Sequence, residues 1–215
     1  MNFRFDIIVE YLPLLLKGTL LTIGISILSI LFGSVLGLGV GLGKMSHRWF
    51  LRYPMSIYVN FFRGTPLLVQ ILLVHFGVVP LFLGTTNAIV ASIVALSLNS
   101  AAYTAEIFRA GIQSIDKGQT EAAHSLGMTH FQTMRLIILP QAIKRMIPPF
   151  GNEFIVLVKD SSLFAVIAAP ELMYWANAMR SQYFKVWEPY LTAALIYFIL
   201  TYSLSKLLGY VERKV

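Results

Sequence analysis

Residues 121–140 read Glu-Ala-Ala-His-Ser-Leu-Gly-Met-Thr-His-Phe-Gln-Thr-Met-Arg-Leu-Ile-Ile-Leu-Pro, a polar island between two long apolar segments. Glu121, Ala122 and Ala123 begin a run of good helix formers, and Gly127 stands where a left-handed cap residue ends a helix. Thr129 and Gln132 have the spacing of a Thr-x-x-Gln capping box, which opens a second helix that Pro140 is placed to end. The pattern predicts two short helices with a tight bend between them. A DNA-reading helix-turn-helix has that outline too, and the net charge of +7 suits one. Flanking apolar segments argue instead for an elbow that meets a partner at a membrane face. Spacing alone does not separate such an elbow from an ordinary structured loop.

Composition extends that reading outward. A chain of 215 residues suits one or two soluble domains, but 57% hydrophobic and 13% charged residues leave too little polar surface for that and fit a polytopic membrane protein. There is no cysteine, so a disulfide framework or thiolate metal site is excluded and the redox compartment stays open. The excess of Lys and Arg need not mean nucleic acid, because cytoplasmic loops of membrane proteins concentrate both.

Residues 1–17 mix apolar residues with Arg4, Asp6, Glu10 and Lys17 and are expected as a short interfacial helix. The apolar run 18–43 is too long for the core of a signal peptide and lacks a small-x-small cleavage pattern, so it reads as the first span. Gly33, Gly37 and Gly41 recur every four residues on one helical face, a pattern that lets a second helix approach closely. The Gly-rich end before Lys44 is no phosphate loop: the spacing is wrong and Met45 replaces the Ser or Thr that holds magnesium. No other phosphate-binding loop is visible, so no ATP-binding motif is expected in this chain, and no residue is singled out as catalytic or metal-ligating.

A second span is expected over 54–83, with Arg63, Thr65, Pro66 and Gln70 inside it. An Arg and a Pro in a span must face protein or water, or the Arg must snorkel to the interface. Thr65 and Gln70 are candidates for contacts to a solute. The third span, 88–108, places Asn99, Tyr103 and Glu106 on one face, with Glu106 set to pair with Arg109 or a base of another span. Residues 109–145 form the polar loop, and 146–168 the fourth span, opened by Pro148-Pro149. Glu153 and Asp160, seven residues apart, share a stripe of that span about 10 Å apart along the axis. One charge at mid-membrane costs roughly 3 kcal/mol, so two acids need water, a base or a cationic ligand. Lys159 points about 100° away from Asp160 and is a poor partner for it. Beyond Pro170 an amphipathic segment with Trp175 and Trp187 suits the interface or a soluble partner, and 189–208 is the fifth span. The loops rich in Lys and Arg put the elbow and C-terminus in the cytoplasm and the N-terminus outside. The fold class is all-α: a polytopic bundle of about five transmembrane helices in a single domain.

Several stretches carry a family resemblance. Glu121-Ala122-Ala123, Gly127 and Ile137-x-Leu139-Pro140 resemble the signature loop of membrane subunits of bacterial ATP-binding-cassette (ABC) importers. Residues 62–70 (Phe-Arg-Gly-Thr-Pro-Leu-Leu-Val-Gln), 102–107 (Ala-Tyr-Thr-Ala-Glu-Ile) and 159–163 (Lys-Asp-Ser-Ser-Leu) extend the similarity over nearly the whole chain. Together they resemble the polar and basic amino acid permeases, the histidine, glutamine and arginine group. The resemblance implies that the elbow is a pair of coupling helices docking on ATPase subunits. Glu121, Ala122, Ala123, Leu126, Gly127, Met128 and Phe131 would make that contact, with Gly127 giving the bend and the apolar side chains plugging the partner's groove. It also implies a second permease subunit, by preference the same chain, an extracytoplasmic amino acid-binding protein, and the bacterial inner membrane. ATP and magnesium would belong to the ATPase, with no cofactor here and no nucleic acid partner. Glu153 and Asp160, with Asn152, Ser161, Thr65 and Gln70, are the expected substrate contacts. Helix-start amides and the hydroxyls of Ser161 or Thr65 would hold the backbone end of an amino acid. Glu153 favours a basic one; a glutamine-type permease and an ATP-independent secondary transporter are the alternatives, the latter lacking a visible inverted repeat.

Overall fold

The computed structural model describes residues 3–214, in which helices and short turns account for the whole architecture. Helix α1, Phe5–Met45, is one rod of 41 residues, about 60 Å long at 1.5 Å per residue. The expected interfacial helix and first span are therefore one element. Such a rod is about twice the roughly 30 Å apolar thickness of a bilayer, so part of it stands outside lipid.

The glycine stripe does what its period suggests. Gly33, Gly37 and Gly41 are buried against α4, Ala88–Gln113, and Thr104 Oγ1 donates to the Gly33 carbonyl at 3.0 Å. A Cβ on Gly37 would fall 2.8 Å from the Ala101 carbonyl oxygen, so only glycine permits this approach.

The expected second span is not one straight helix. Helices α2, Trp49–Gly64, and α3, Leu67–Leu83, meet at 109° across Thr65-Pro66. Pro66 has no N–H, which frees the Phe62 carbonyl four residues earlier. Gln70 Nε2 donates to that carbonyl at 2.8 Å, to the Thr65 carbonyl at 3.1 Å and to Thr65 Oγ1 at 2.9 Å. Asn99 of α4 in turn donates to Gln70 Oε1 at 2.9 Å, tying the break to the bundle. Further along α3, a π turn at Val74–Val78 precedes Pro80. Asn87 then caps α4 by accepting from the Val90 amide at 3.0 Å.

Residues 109–145 are likewise more ordered than a loop. Helix α4 runs on to Gln113, α5 spans Lys117–Ser125, and α6 is continuous over residues 130–160. Pro140 does not end a helix, because a π turn at Met134–Ile138 takes up the change in hydrogen-bond register and the chain passes smoothly into Leu139–Asp160. Pro148 and Pro149 lie inside that helix rather than at its start. The carbonyls they free are those of Lys144 and Arg145, both exposed residues.

A 3₁₀ segment, Ser161–Ile167, leads to α7, Leu172–Tyr183, and α8, Trp187–Glu212. The amphipathic α7 buries Leu172, Ala176 and Met179 in a core shared with Ile7, Tyr11 and Leu15 of α1. Its apolar face is therefore spent within the chain. Glu171, fully buried, caps α7 by accepting from the amides of Met173 (2.8 Å) and Tyr174 (2.7 Å), and also from Tyr197 Oη (2.9 Å) of α8.

Among the described residues α1, α4 and α8 are long and apolar enough to cross a membrane, and the bent pair α2–α3 is a fourth candidate. The stretch expected as the fourth span is long enough, since Leu139–Asp160 has 22 residues, or about 33 Å. Its charges, Lys144, Arg145, Glu153, Lys159 and Asp160, keep it from the same apolarity.

Candidate functional site

The elbow is built by local hydrogen bonds. Asp116 Oδ1 accepts from the Gly118 amide at 2.7 Å and opens α5. At the other end Met128 N donates to the Ala123 carbonyl (3.1 Å) and Gly127 N to that of His124 (2.9 Å), a Schellman closure with Gly127 at φ +79°. The capping box is complete: Gln132 N donates to Thr129 Oγ1 at 3.3 Å and Thr129 N to Gln132 Oε1 at 2.8 Å. Beneath the elbow, Ile115, Ile138, Ala142 and Met146 form a small core with Phe108 and Phe150. The bend is thus seated on the ends of α4 and α6.

Its outer face carries unpartnered apolar side chains. Leu126 is 83% exposed and Phe131 70% exposed, whereas Ala123 is buried and Met128 half-buried. Glu121 and Ala122 are exposed, and among the described residues the Glu121 carboxylate has no ion pair or hydrogen bond. The elbow thus presents two large apolar side chains, Leu126 and Phe131, among polar neighbours.

A cavity of about 520 Å³ lies where the end of α2 meets α4 and α6, lined by Arg63, Tyr103, Glu106, Arg145, Asn152 and Glu153 among others. Glu153 is buried, and among the described residues no Lys or Arg nitrogen comes within 4.0 Å of its carboxylate. Glu106 is in the opposite condition. Its Oε1 accepts from Lys44 Nζ of α1 at 2.5 Å, and its Oε2 from Arg109 Nη2 at 2.7 Å and Nε at 3.1 Å. The pairing expected for Glu106 is present and links α1 to α4.

The cavity brings together only part of the expected substrate set. Glu153 and Asn152 line it; Asp160, half-buried, is on the same helix two turns further on, where α6 passes into the 3₁₀ segment. Lys159 turns away and lines a separate cavity of about 370 Å³ with Tyr190 and Tyr197. The Ser161 hydroxyl is buried and donates to the Val158 carbonyl at 2.8 Å. Thr65 Oγ1 donates to the Phe61 carbonyl at 2.8 Å, and Gln70 is occupied at the helix break. Nothing in the sequence pattern places Arg145 or Tyr103 in a site. Arg63 was signalled by its position inside an apolar span, but not its neighbours.

An all-helical, largely apolar bundle with a charged cavity between its helices and a helical elbow at one end has the outline of a membrane-embedded transporter subunit. Comparison with known proteins gives the family. The chain belongs to the binding-protein-dependent transport system inner membrane components, whose family model matches residues 29–215. It is 39% identical over 214 residues to the arginine transport system permease protein ArtQ of Bacillus subtilis, covering 100% of this chain and 98% of that one. It is 35% identical over 215 residues to the glutamine transport system permease protein GlnP of Escherichia coli, again covering 100% and 98%. A crystal structure of an amino acid ABC transporter with histidines contains a chain that superposes with a TM-score of 0.94 at 43% identity, with 100% of both chains covered. The inward-facing MetNI methionine ABC transporter shares the fold, with a TM-score of 0.80 at 24% identity over 94% of this chain and 96% of that one.

Proposed function

We propose that this chain is the inner-membrane permease subunit of an ATP-driven importer of basic amino acids. The observation that carries the substrate class is Glu153: a buried carboxylate, facing a cavity, with no basic partner within the described chain. A buried, unpaired charge is costly, so the site is completed by a cation from outside. An arginine, lysine or histidine side chain supplies one, and Asp160 further along α6 adds to the negative potential on its path. Relatives named for arginine and for histidines support this choice; the glutamine relative keeps a neutral side chain as the competing reading.

In this mechanism the elbows, facing the cytoplasm, dock Leu126 and Phe131 into grooves of a pair of ATPase subunits, which hold the ATP and magnesium. A second permease chain, by preference an identical copy, completes the pathway, and a binding protein delivers the solute from outside. ATP acts by favouring one of two conformations of the permease pair.

Substitution Glu153→Gln in the intact complex, reconstituted in vesicles, tests the assignment. Arginine uptake at limiting concentration is expected to fall about tenfold or more, as loss of a charge-assisted contact implies, while glutamine becomes a better competitor. Unchanged arginine uptake removes Glu153 from the specificity site.

A further inference from the structure

The cavity that holds Glu153 also holds two guanidinium groups, and they are not equivalent. Arg145 is tied through Nη1, one of its donor groups, to the carbonyl of Ser114 at the C-terminal end of α4. Arg63 makes no hydrogen bond among the described residues: its Nη1 stands 3.8 Å from Glu106 Oε2, beyond hydrogen-bonding range. Both oxygens of Glu106 are already taken by Lys44 and Arg109. Three cations thus surround one carboxylate, and Arg63 is the one left over. Its side chain is 45% exposed, with Cζ held 5.3 Å over the ring of Tyr103. A guanidinium fixed against an aromatic face, with its donors open to a cavity, is suited to bind a planar carboxylate in two-pronged fashion.

We propose that Arg63 receives the α-carboxylate of the transported amino acid, while Glu153 receives its cationic end. The assignment of the cationic end rests on the basic-substrate reading above; the carboxylate part does not. It also fills a gap, because the groups expected to hold the backbone end are otherwise engaged. The Thr65 and Ser161 hydroxyls bond to carbonyls of their own helices, and Pro148-Pro149 offers no helix start. Among the described residues, an acid that has no basic partner and a base that makes no hydrogen bond line the same cavity, so a zwitterion with an extra positive charge meets complementary groups.

The test is direct binding to the purified permease–ATPase complex in nanodiscs, without the binding protein, so that only the membrane site discriminates. Arginine is compared with agmatine, the same molecule without its carboxylate, and glutamine with γ-aminobutyramide. Wild type is expected to prefer each amino acid over its decarboxylated analogue by about 10- to 100-fold. Arg63→Gln should bind the amino acids that much more weakly and the analogues unchanged, so the preference collapses. Arg63→Lys, which keeps the charge but not the fork, should restore part of it. Equal weakening of amino acid and analogue, or a preference that survives in Arg63→Gln, overturns the proposal. If Glu153→Gln leaves arginine binding intact while Arg63→Gln still abolishes the carboxylate preference, the basic-substrate reading falls and the role of Arg63 stands.

Discussion

Gln70 shows how much one side chain holds at the break between α2 and α3. It supplies the donor that Pro66 removes from the Phe62 carbonyl and accepts from Asn99, so two polar groups depend on it. Leaving buried polar groups unsatisfied costs about 1–3 kcal/mol each. Gln70→Leu should therefore lower the thermal unfolding midpoint of the purified complex by several degrees. An unchanged midpoint would mean that the amide is not what holds the bend. The sequence offered Gln70 as a polar residue in an apolar run, which suits a solute contact as well as a structural one. Only the backbone path shows that its amide reaches the carbonyl freed by Pro66. Glu171 was hidden for a similar reason. Its burial depends on Thr22 and Tyr197, which are 149 and 26 residues away in the chain.

At the scale of elements, the elbow was the most legible feature because its determinants lie close together in the chain. Gly127, Thr129 and Gln132 each act on neighbours within a few residues, so propensity and capping rules apply directly. The prolines misled for a physical reason. A proline stops a helix only if the freed carbonyl and altered register find no remedy, and π turns just before Pro80 and Pro140 provide one. Gly127 yields a prediction at this scale. Its φ of +79° strains a side chain, although a Cβ there would meet no neighbour within 4 Å. Gly127→Val should cost about 1–3 kcal/mol of local strain and reduce ATP-driven uptake severely, with ATPase subunits still able to hydrolyse. Gly127→Asn, which tolerates the left-handed region, should keep most transport. Equal uptake by both variants would show that the bend does not transmit movement.

On the scale of the whole molecule, the elbow and cavity are joined through the same helices. Helix α4 carries Tyr103 and Glu106, α6 carries Asn152 and Glu153, and the elbow's core rests on the ends of both. A displacement of the elbow thus reaches the cavity wall without an intermediary element. The link from Lys44 to Glu106 adds the long α1 rod to this unit. The all-helical class and the glycine stripe could be read from composition and period. Which charges share a cavity could not, because that depends on the 109° bend bringing Arg63 beside α4.

If the elbow serves ATP-driven import of amino acids, uptake by reconstituted vesicles must depend on ATP. Labelled arginine would be supplied with its binding protein outside and ATP inside, with excess unlabelled glutamine as competitor. Accumulation that requires ATP and resists glutamine is the predicted result. Equal accumulation with and without ATP would contradict it.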